Sequence, residues 1–94
     1  MKFFQSLFGG KNQQDQIREM LQKKAVVIDV RSPSEFREGH VKGSSNIPLQ
    51  QFRSSIPEIQ SMKKPVIVCC ASGIRSGKAN RMLLKEGVES INGG

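Results

Sequence analysis

The apolar positions of this chain follow two patterns, helical spacing and short continuous runs. Within residues 13–24, Ile17, Met20 and Leu21 recur every three or four positions, which predicts an amphipathic helix. Residues 25–31 then form a run rich in β-branched side chains, which is typical of a strand buried on both faces. The folded part of the chain is therefore expected to begin with a helix and a buried strand.

Ser32 and Glu35 mark the start of a second helix. Ser32 can act as N-cap, Pro33 follows at the first helical position, and Glu35 stands three residues after Ser32. This is the spacing of a capping box, in which each of the two side chains accepts a hydrogen bond from the other residue's amide. We predict a short helix that ends near Gly39.

The rest of the chain continues the alternation of helices and strands. The predicted elements are an extended piece at 46–48, a helix over 49–62 interrupted at Pro57, a strand at 66–70, a helix over 76–86 and a strand at 88–91. Strands that alternate with helices favour a parallel sheet with helices on both faces. The predicted fold class is therefore α/β.

Size and composition are those of one soluble domain. The 94 residues are 36% hydrophobic and 24% charged, and no apolar run approaches the roughly 20 residues needed to span a membrane. We expect a flexible N-terminal arm over residues 1–11 and one domain over residues 12–94. Because the N-terminus shows no secretory signal pattern, the expected location is cytoplasmic.

The net charge of +7 favours an anionic partner, which could be a small anion, an acidic protein or a nucleic acid. Proteins that bind single-stranded nucleic acid stack the bases on aromatic side chains. The chain has neither Trp nor Tyr, so such a platform has little to be built from. Nucleic acid is therefore the least expected of the three partners.

The two cysteines, Cys69 and Cys70, are adjacent in the sequence. A disulfide between neighbours strains the peptide that joins them, so these residues should serve packing or reactivity instead. Together with the single histidine, His40, they do not make a four-ligand zinc set. We expect neither a metal nor an organic cofactor.

Cys70 is the candidate nucleophile. It ends a predicted strand, precedes a tight turn at Gly73 and lies one turn before the helix expected near Ser76. In parallel α/β sheets, ligands bind beyond the carboxyl ends of the strands, where backbone amides and helix N-termini converge. The helix terminus and the guanidinium of Arg75 would lower the pKa of the Cys70 thiol. The alternative is that Cys70 is a small buried hydrophobe, a common role of free cysteine.

Two segments resemble the signatures of the rhodanese family. The first is DVRSPSEFREGHVKGSSNIP at 29–48, and the second, VIVCCASGIRS at 66–76, resembles the active-site strand and loop of that family. Both occur in the family's order, and the resemblance covers residues 13–94. It implies a compact α/β domain with a parallel five-stranded sheet.

The resemblance also implies roles for individual residues. Cys70 would be the nucleophile that accepts sulfur, and Arg75 would close the loop and bind the oxyanion of the donor. The anion would lie in a cradle of loop amides, those of Ala71, Ser72, Gly73, Ile74, Arg75 and Ser76. Four residues of the first signature are expected to support the structure rather than catalyse: Asp29, Arg31, Glu35 and His40.

The chain departs from the family pattern in two places. Cys69 stands before the nucleophile, where the family often has an aromatic residue, and strand alternation predicts that it is buried on the face opposite Cys70. This sequence ends at Gly93-Gly94, where the family continues into a final helix. Either that helix is missing from this sequence, or the apolar residues of the arm at 1–11 cover the face that it would cover.

Two other functions fit the same residues. Cys69 and Arg75 have the Cys-x5-Arg spacing of a phosphatase or arsenate reductase. Both kinds of loop usually place a glycine three residues after the nucleophile, and Gly73 has that position only relative to Cys70. No nearby aspartate is evident as the general acid of a phosphatase. A sulfur carrier or binding module without turnover is the second alternative. Its docking surface, for an acidic partner protein or for RNA, would be the basic residues Arg75, Lys78, Arg81 and Lys85.

The expected reaction is therefore sulfur transfer. Its donor would be thiosulfate or a similar small anion, and its acceptor cyanide or a thiol. A persulfide on Cys70 would carry the sulfur between them, because a thiolate both attacks a sulfur atom and leaves from one.

Overall fold

Helices and strands alternate along residues 12–94, the part of the chain that the computed structural model describes. The helices are α1 (Gln13–Gln22), α2 (Pro33–Arg37), α3 (Leu49–Met62) and α4 (Ile74–Lys85). The strands are β1 (Val26–Asp29), β2 (Ser45–Asn46), β3 (Val66–Cys69) and β4 (Ser90–Asn92). The expected arm at 1–11 lies outside the described residues.

The strands form one parallel sheet in the order β2-β1-β3-β4. Val26 pairs with Val66 and Asp29 with Cys69, so β1 and β3 end at the same level. The expectation of five strands is wrong for the described residues, because they contain four extended segments and all four are in this sheet. The α/β class and the parallel pairing are confirmed.

The main core lies between the sheet and the helices α3 and α4. Strand residues such as Ile28 and Val68 pack there with Phe52, Ile59 and Leu83, and each is at most 1% exposed. Helix α1 packs against β3 and contributes the buried Met20. The sheet therefore has helices on both faces, as the continuous β-branched runs of β1 and β3 require.

Helix α2 begins with the predicted capping box. The amide of Glu35 donates to the Ser32 hydroxyl at 3.3 Å, and the amide of Ser32 donates to the Glu35 carboxylate at 2.9 Å. Pro33 occupies the first turn, where its missing N–H costs no helical hydrogen bond. This helix lies directly after β1 and holds Glu35 at the carboxyl edge of the sheet.

The predicted interruption at Pro57 is wrong, because α3 runs unbroken from Leu49 to Met62 with Pro57 inside it. A proline within a helix removes one backbone hydrogen bond and costs about 3 kcal/mol. The buried side chains of Phe52, Ile56 and Ile59 flank it and offset that cost by packing into the core. Tertiary contacts have here overridden a local signal.

Two later boundaries also differ from the predictions. Helix α4 begins at Ile74 rather than near Ser76, because Gly73 adopts a left-handed conformation and serves as its N-cap. Strand β4 begins at Ser90 rather than at Val88, whose amide instead donates to the carbonyl of Leu83 and closes the end of α4. None of the described helices is long and apolar enough to cross a membrane.

Candidate functional site

Cys70 lies immediately beyond the end of β3, at the carboxyl edge of the sheet. A short turn leads from it to Gly73, whose φ of 89° is a value that residues with a side chain rarely adopt. This conformation turns the amide of Gly73 back toward the cysteine, and that amide donates to Sγ of Cys70 at 3.0 Å. The strand end and the glycine thus place the thiol against backbone donors.

The first turn of α4 provides further contacts to the Cys70 thiol. The amide of Ser76 donates to Sγ at 3.3 Å, and the Ser76 hydroxyl lies 3.3 Å from the same sulfur. Burial by itself would raise the pKa of Cys70, but the hydrogen bonds from the Ser76 hydroxyl and from the amides of Ser76, Gly73 and Ser72 outweigh it. They lower the pKa to about 7, so a large fraction of Cys70 is thiolate at neutral pH.

The environment of Cys69, unlike that of Cys70, disfavours the thiolate. Burial raises the pKa of its thiol, and the negative charge of Asp29 raises it further. Cys70 packs against the cluster that holds Val66 and Val68, which is the core beneath α3 and α4. Of the two adjacent thiols, Cys70 therefore has the lower pKa and the larger thiolate fraction at neutral pH.

Arg75 forms a bidentate ion pair with Glu35. Its two terminal nitrogens donate to the two carboxylate oxygens at 2.9 and 3.1 Å. These hydrogen bonds, followed by that from the amide of Ser32, lower the pKa of Glu35 to about 2. The pair joins the capping box of α2 to the first turn of α4, so Glu35 contacts the element that carries the candidate site.

Asp29 and Arg31 form a second, more buried pair at the end of β1. Asp29 is 2% exposed and accepts hydrogen bonds from the guanidinium at 2.8 to 3.0 Å and from the amide of Arg31 at 2.9 Å. Burial would raise the pKa of Asp29, but the hydrogen bonds and charge of Arg31 lower it more. Arg31 also donates to the carbonyl of Gly39 at 2.7 Å, which ties the following loop to the strand.

His40 lies in that loop and has local partners. Its Nδ1 donates to the carbonyl of Phe36 at 2.7 Å, and its ring stacks on the ring of Phe36 with centroids 3.6 Å apart. Both contacts extend the end of α2 and leave the imidazole beside its own helix. The contacts found for His40 are thus with Phe36.

Asn92, at the end of β4, is a residue of the site that the sequence analysis missed. Its Oδ1 accepts hydrogen bonds from the Ser76 hydroxyl at 2.6 Å and from the amide of Gly94 at 2.9 Å. Its Nδ2 donates to the carbonyl of Gly73 at 3.0 Å. The signal that could have found it is its position at the carboxyl end of a parallel strand, where polar residues meet ligands.

Arg75 borders a cavity of about 390 Å³ with mostly apolar walls. The other lining residues come from the ends of β1 and the starts of α2 and α3: Val30, Ser32, Pro48, Leu49 and Gln50. A larger cavity of about 440 Å³ lies beside Pro65 and Glu89, which precede β3 and β4, and is therefore at the opposite end of the strands. We regard the smaller cavity as the relevant one because it adjoins the candidate site.

Across residues 12–94, no group of three or more His, Cys, Asp or Glu side chains is arranged to hold a metal ion. The chemistry that the site itself can perform is that of a thiolate held by backbone amides. Such a group attacks electrophilic sulfur and can leave again from a sulfur–sulfur bond.

The fold and the thiolate loop together define a family. The model of the Rhodanese-like domain matches residues 13–94, and the chain belongs to this family. At the level of the family, the chemistry is sulfur transfer.

Individual relatives agree with this assignment. The chain is 45% identical over 69 residues to the uncharacterized protein YqhL of Bacillus subtilis, an alignment that covers 73% of this chain and 54% of the relative. It is 30% identical over 73 residues to the thiosulfate sulfurtransferase GlpE of Haemophilus influenzae, covering 78% of this chain and 69% of that protein. The chain thus spans only about half the length of the Bacillus relative.

A solved structure has the same fold. The rhodanese with anions from E. coli superposes with a TM-score of 0.68 at 35% identity, covering 74% of this chain and 85% of that one.

Proposed function

We propose that this protein is a sulfurtransferase that moves sulfane sulfur from thiosulfate, or a similar anionic donor, to a thiophilic acceptor. Cys70 would carry the sulfur as a persulfide. The observation that carries the proposal is the position of Sγ against the hydroxyl and amide of Ser76 and the amide of Gly73, whose hydrogen bonds lower the pKa of this cysteine to about 7. The thiosulfate sulfurtransferase named among the relatives supports the choice of donor.

The first step is a displacement at sulfur. The Cys70 thiolate attacks the outer sulfur of thiosulfate, a new sulfur–sulfur bond forms, and the bond within thiosulfate breaks. Sulfite leaves with the electron pair of that bond. Sγ is then neutral, and the negative charge lies on the outer sulfur of the persulfide.

The loop amides from Ala71 to Ser76 are the proposed cradle for the anionic groups of this step. Arg75 would assist from the edge of the cradle. Because both terminal nitrogens of Arg75 already contact Glu35, we propose that it offers its remaining N–H groups and a fixed orientation.

The second step returns Cys70 to its thiolate. Cyanide or the thiolate of an acceptor attacks the outer sulfur, the sulfur–sulfur bond of the persulfide breaks, and its electron pair returns to Sγ. The apolar cavity beside Arg75 is the proposed place from which an organic acceptor approaches. No proton needs to be supplied to a leaving alcohol, in contrast to phosphate ester hydrolysis.

The register of the loop favours sulfur transfer over phosphatase or arsenate reductase chemistry. Those alternatives would count the loop from Cys69, which lies within β3 and whose pKa is raised. The hydrogen bonds of Gly73 and Ser76 instead converge on Cys70, which supports the shorter loop, with four residues before Arg75, as the proposed functional loop.

The test is sulfur uptake by the wild-type protein. Incubation with thiosulfate should add one sulfur atom to the intact mass, and subsequent cyanide should remove it and release thiocyanate. Mass spectrometry measures the uptake of sulfur, and a colorimetric thiocyanate assay measures its transfer to cyanide. An unchanged mass after thiosulfate would contradict the proposed donor, and a sulfur that cyanide cannot remove would contradict the persulfide.

A basic face on α4 suggests a protein acceptor. Lys78, Arg81 and Lys85 are exposed and recur at helical spacing, and Ile74, which begins the helix beside Cys70, is 68% exposed. No acidic residue occurs within α4 itself. We propose that an acidic partner protein docks along this face and brings its thiol to the persulfide.

Charge reversal on this face should slow transfer to an acidic acceptor. The probe is a synthetic peptide in which glutamates flank one cysteine, compared with the same peptide carrying glutamines. At low salt the wild-type persulfide should prefer the acidic peptide, and Lys78→Glu with Lys85→Glu should reduce that rate by about three- to tenfold. Thiosulfate uptake should remain unchanged.

The matched control reverses two lysines at the other end of the sheet, Lys63→Glu and Lys64→Glu. This variant carries the same net charge but should keep the preference for the acidic peptide. Equal losses in the two double variants would show that only net charge matters, and no preference in the wild type would refute the docking surface.

A further inference from the structure

The hydroxyl of Ser76 has one proton and two acceptors within reach. Its side chain is fully buried, at 0% exposure, so water cannot serve as a substitute partner. Asn92 Oδ1 lies 2.6 Å from the hydroxyl oxygen, and Sγ of Cys70 lies 3.3 Å from it. Because an amide oxygen can only accept, the 2.6 Å contact requires the hydroxyl proton, which in this structure points to Asn92.

The amide of Asn92 is held in one orientation by two backbone groups. Its Nδ2 donates to the carbonyl of Gly73, and its Oδ1 accepts from the amide of Gly94. In a flipped amide, Nδ2 would face the amide of Gly94 and Oδ1 would face the carbonyl of Gly73. A donor would then face a donor, and an acceptor would face an acceptor. Asn92 therefore presents an oxygen to Ser76, and Ser76 must be the donor in that hydrogen bond.

We propose that Asn92 is a positioning residue for Cys70: it accepts the hydroxyl proton of Ser76 while Sγ is uncharged, and yields it when Sγ becomes a thiolate. In the uncharged states, thiol and persulfide, Sγ is a weak acceptor and the buried hydroxyl needs Asn92 as its partner. In the thiolate state the hydroxyl rotates and donates to the charged sulfur, which is the stronger acceptor.

The role proposed for Asn92 rests on the proposed function, because it matters only if Cys70 alternates between thiolate and persulfide. Each round of sulfur transfer removes the negative charge from Sγ and later restores it. A hydroxyl that alternates between Asn92 and Sγ is satisfied in both states, whereas a fixed donor would favour only one. The acidity of Cys70 itself can be measured without any sulfur donor, so the two proposals can fail separately.

Gly94 links the two residues through its backbone, because its amide donates to Asn92 and its carbonyl accepts from the amide of Cys70, but the side chains that influence Cys70 electrostatically do not hydrogen-bond to Asn92. The charged and titratable groups near the site are the ion pairs Arg75–Glu35 and Asp29–Arg31 and the thiol of Cys69. Substitutions at Asn92 change none of these residues. A change in the acidity of Cys70 then reports on the Ser76 hydroxyl or on the shape of the loop.

These two causes predict opposite changes in the pKa of Cys70. Asn92→Leu replaces the amide by an apolar side chain of similar shape, which frees the hydroxyl to donate to Sγ at all times. The pKa of Cys70 should then fall, by up to about one pH unit. If Asn92 merely braced the loop through Gly73, its loss would loosen the amide donors, and the pKa of Cys70 would rise.

The experiment follows alkylation of Cys70 by iodoacetamide from pH 5 to pH 9 and takes the midpoint of each rate profile, with Cys69 replaced by serine throughout. The variants are Asn92→Leu and Asn92→Ala, each with Ser76 or with Ser76→Ala. Both should lower the midpoint when Ser76 is present, the alanine variant less because water can enter. Neither should lower it with Ser76→Ala.

Asn80→Leu is the matched control. Asn80 accepts a hydrogen bond from the hydroxyl of Ser90, so the same pair of residue types joins α4 to β4 at a distance from Cys70. This variant should lose comparable thermal stability and keep the wild-type midpoint. A raised or unchanged midpoint in a folded Asn92 variant, or the same fall with Ser76→Ala, would overturn the proposal.

Discussion

Replacing Cys70 with serine should abolish sulfur uptake from thiosulfate, whereas Cys69→Ser should retain nearly all of it. Loss of a nucleophile that acts covalently removes the reaction pathway itself, so the expected decrease in turnover is at least about a thousandfold. The reason for the asymmetry is the environment of the two thiols. Hydrogen bonds lower the pKa of Cys70 to about 7, while burial raises that of Cys69.

The measurement is intact mass after thiosulfate, together with thiocyanate formation in the presence of cyanide. Cys69→Ser is the matched control because it removes a neighbouring thiol by the same change of one atom. An adduct that survives in Cys70→Ser and disappears in Cys69→Ser would show that Cys69, and not Cys70, is the nucleophile of the loop. The longer loop, and with it phosphatase chemistry, would then become the better proposal.

The pH profile of the wild type provides a further check on the same cysteine. The thiolate fraction of Cys70 rises as the pH passes through about 7, so sulfur uptake should increase over that range and level off above it. A profile that rises only near the ordinary thiol value, about 8.5, would show that the loop amides do not stabilise the thiolate.

Removing Arg75 should impair thiosulfate binding strongly, and removing Glu35 as well should restore part of the loss. Arg75→Ala leaves the carboxylate of Glu35 without its bidentate partner beside a site that must bind a dianion. We expect KM for thiosulfate to rise by about a hundredfold, through loss of a cation and repulsion by the exposed carboxylate. The double variant Arg75→Ala with Glu35→Gln should recover about tenfold, because the repulsion is gone.

Steady-state kinetics on the single and double variants give the coupling between the two residues. Glu38→Gln in the Arg75→Ala background is the control, since it removes another carboxylate near the end of α2 and leaves the carboxylate of Glu35 in place. No recovery in the double variant would mean that Glu35 acts through the capping box alone. Arg75→Lys should rescue poorly, because an ammonium cannot reproduce the bidentate contact.

Local features of this protein follow directly from the order of its residues. The capping box of Ser32 and Glu35 depends on neighbours in sequence, and the structure contains it as predicted. The β-branched runs of β1 and β3 predict strands buried on both faces, and in the structure helices cover both faces of the sheet. Gly73 could be assigned a turn because few other residues tolerate its backbone conformation.

Predictions failed where distant contacts outweighed local preference. Pro57 should end a helix by its own chemistry, yet the buried side chains around it keep α3 continuous. The count of five strands came from a resemblance, and the described residues supply four. For Pro57 the deciding energy lies in the packing of α3 against residues far away in the chain.

The sequence by itself determined the α/β class, the parallel alternation of elements and the choice of Cys70 as the candidate nucleophile. Only the tertiary structure decided which side chains act on that cysteine. Glu35 reaches Arg75 across 40 positions, and Asn92 reaches Ser76 across 16. Such partners are chosen by the register of parallel strands, which brings the ends of β1, β3 and β4 to one edge, and no local pattern records that register.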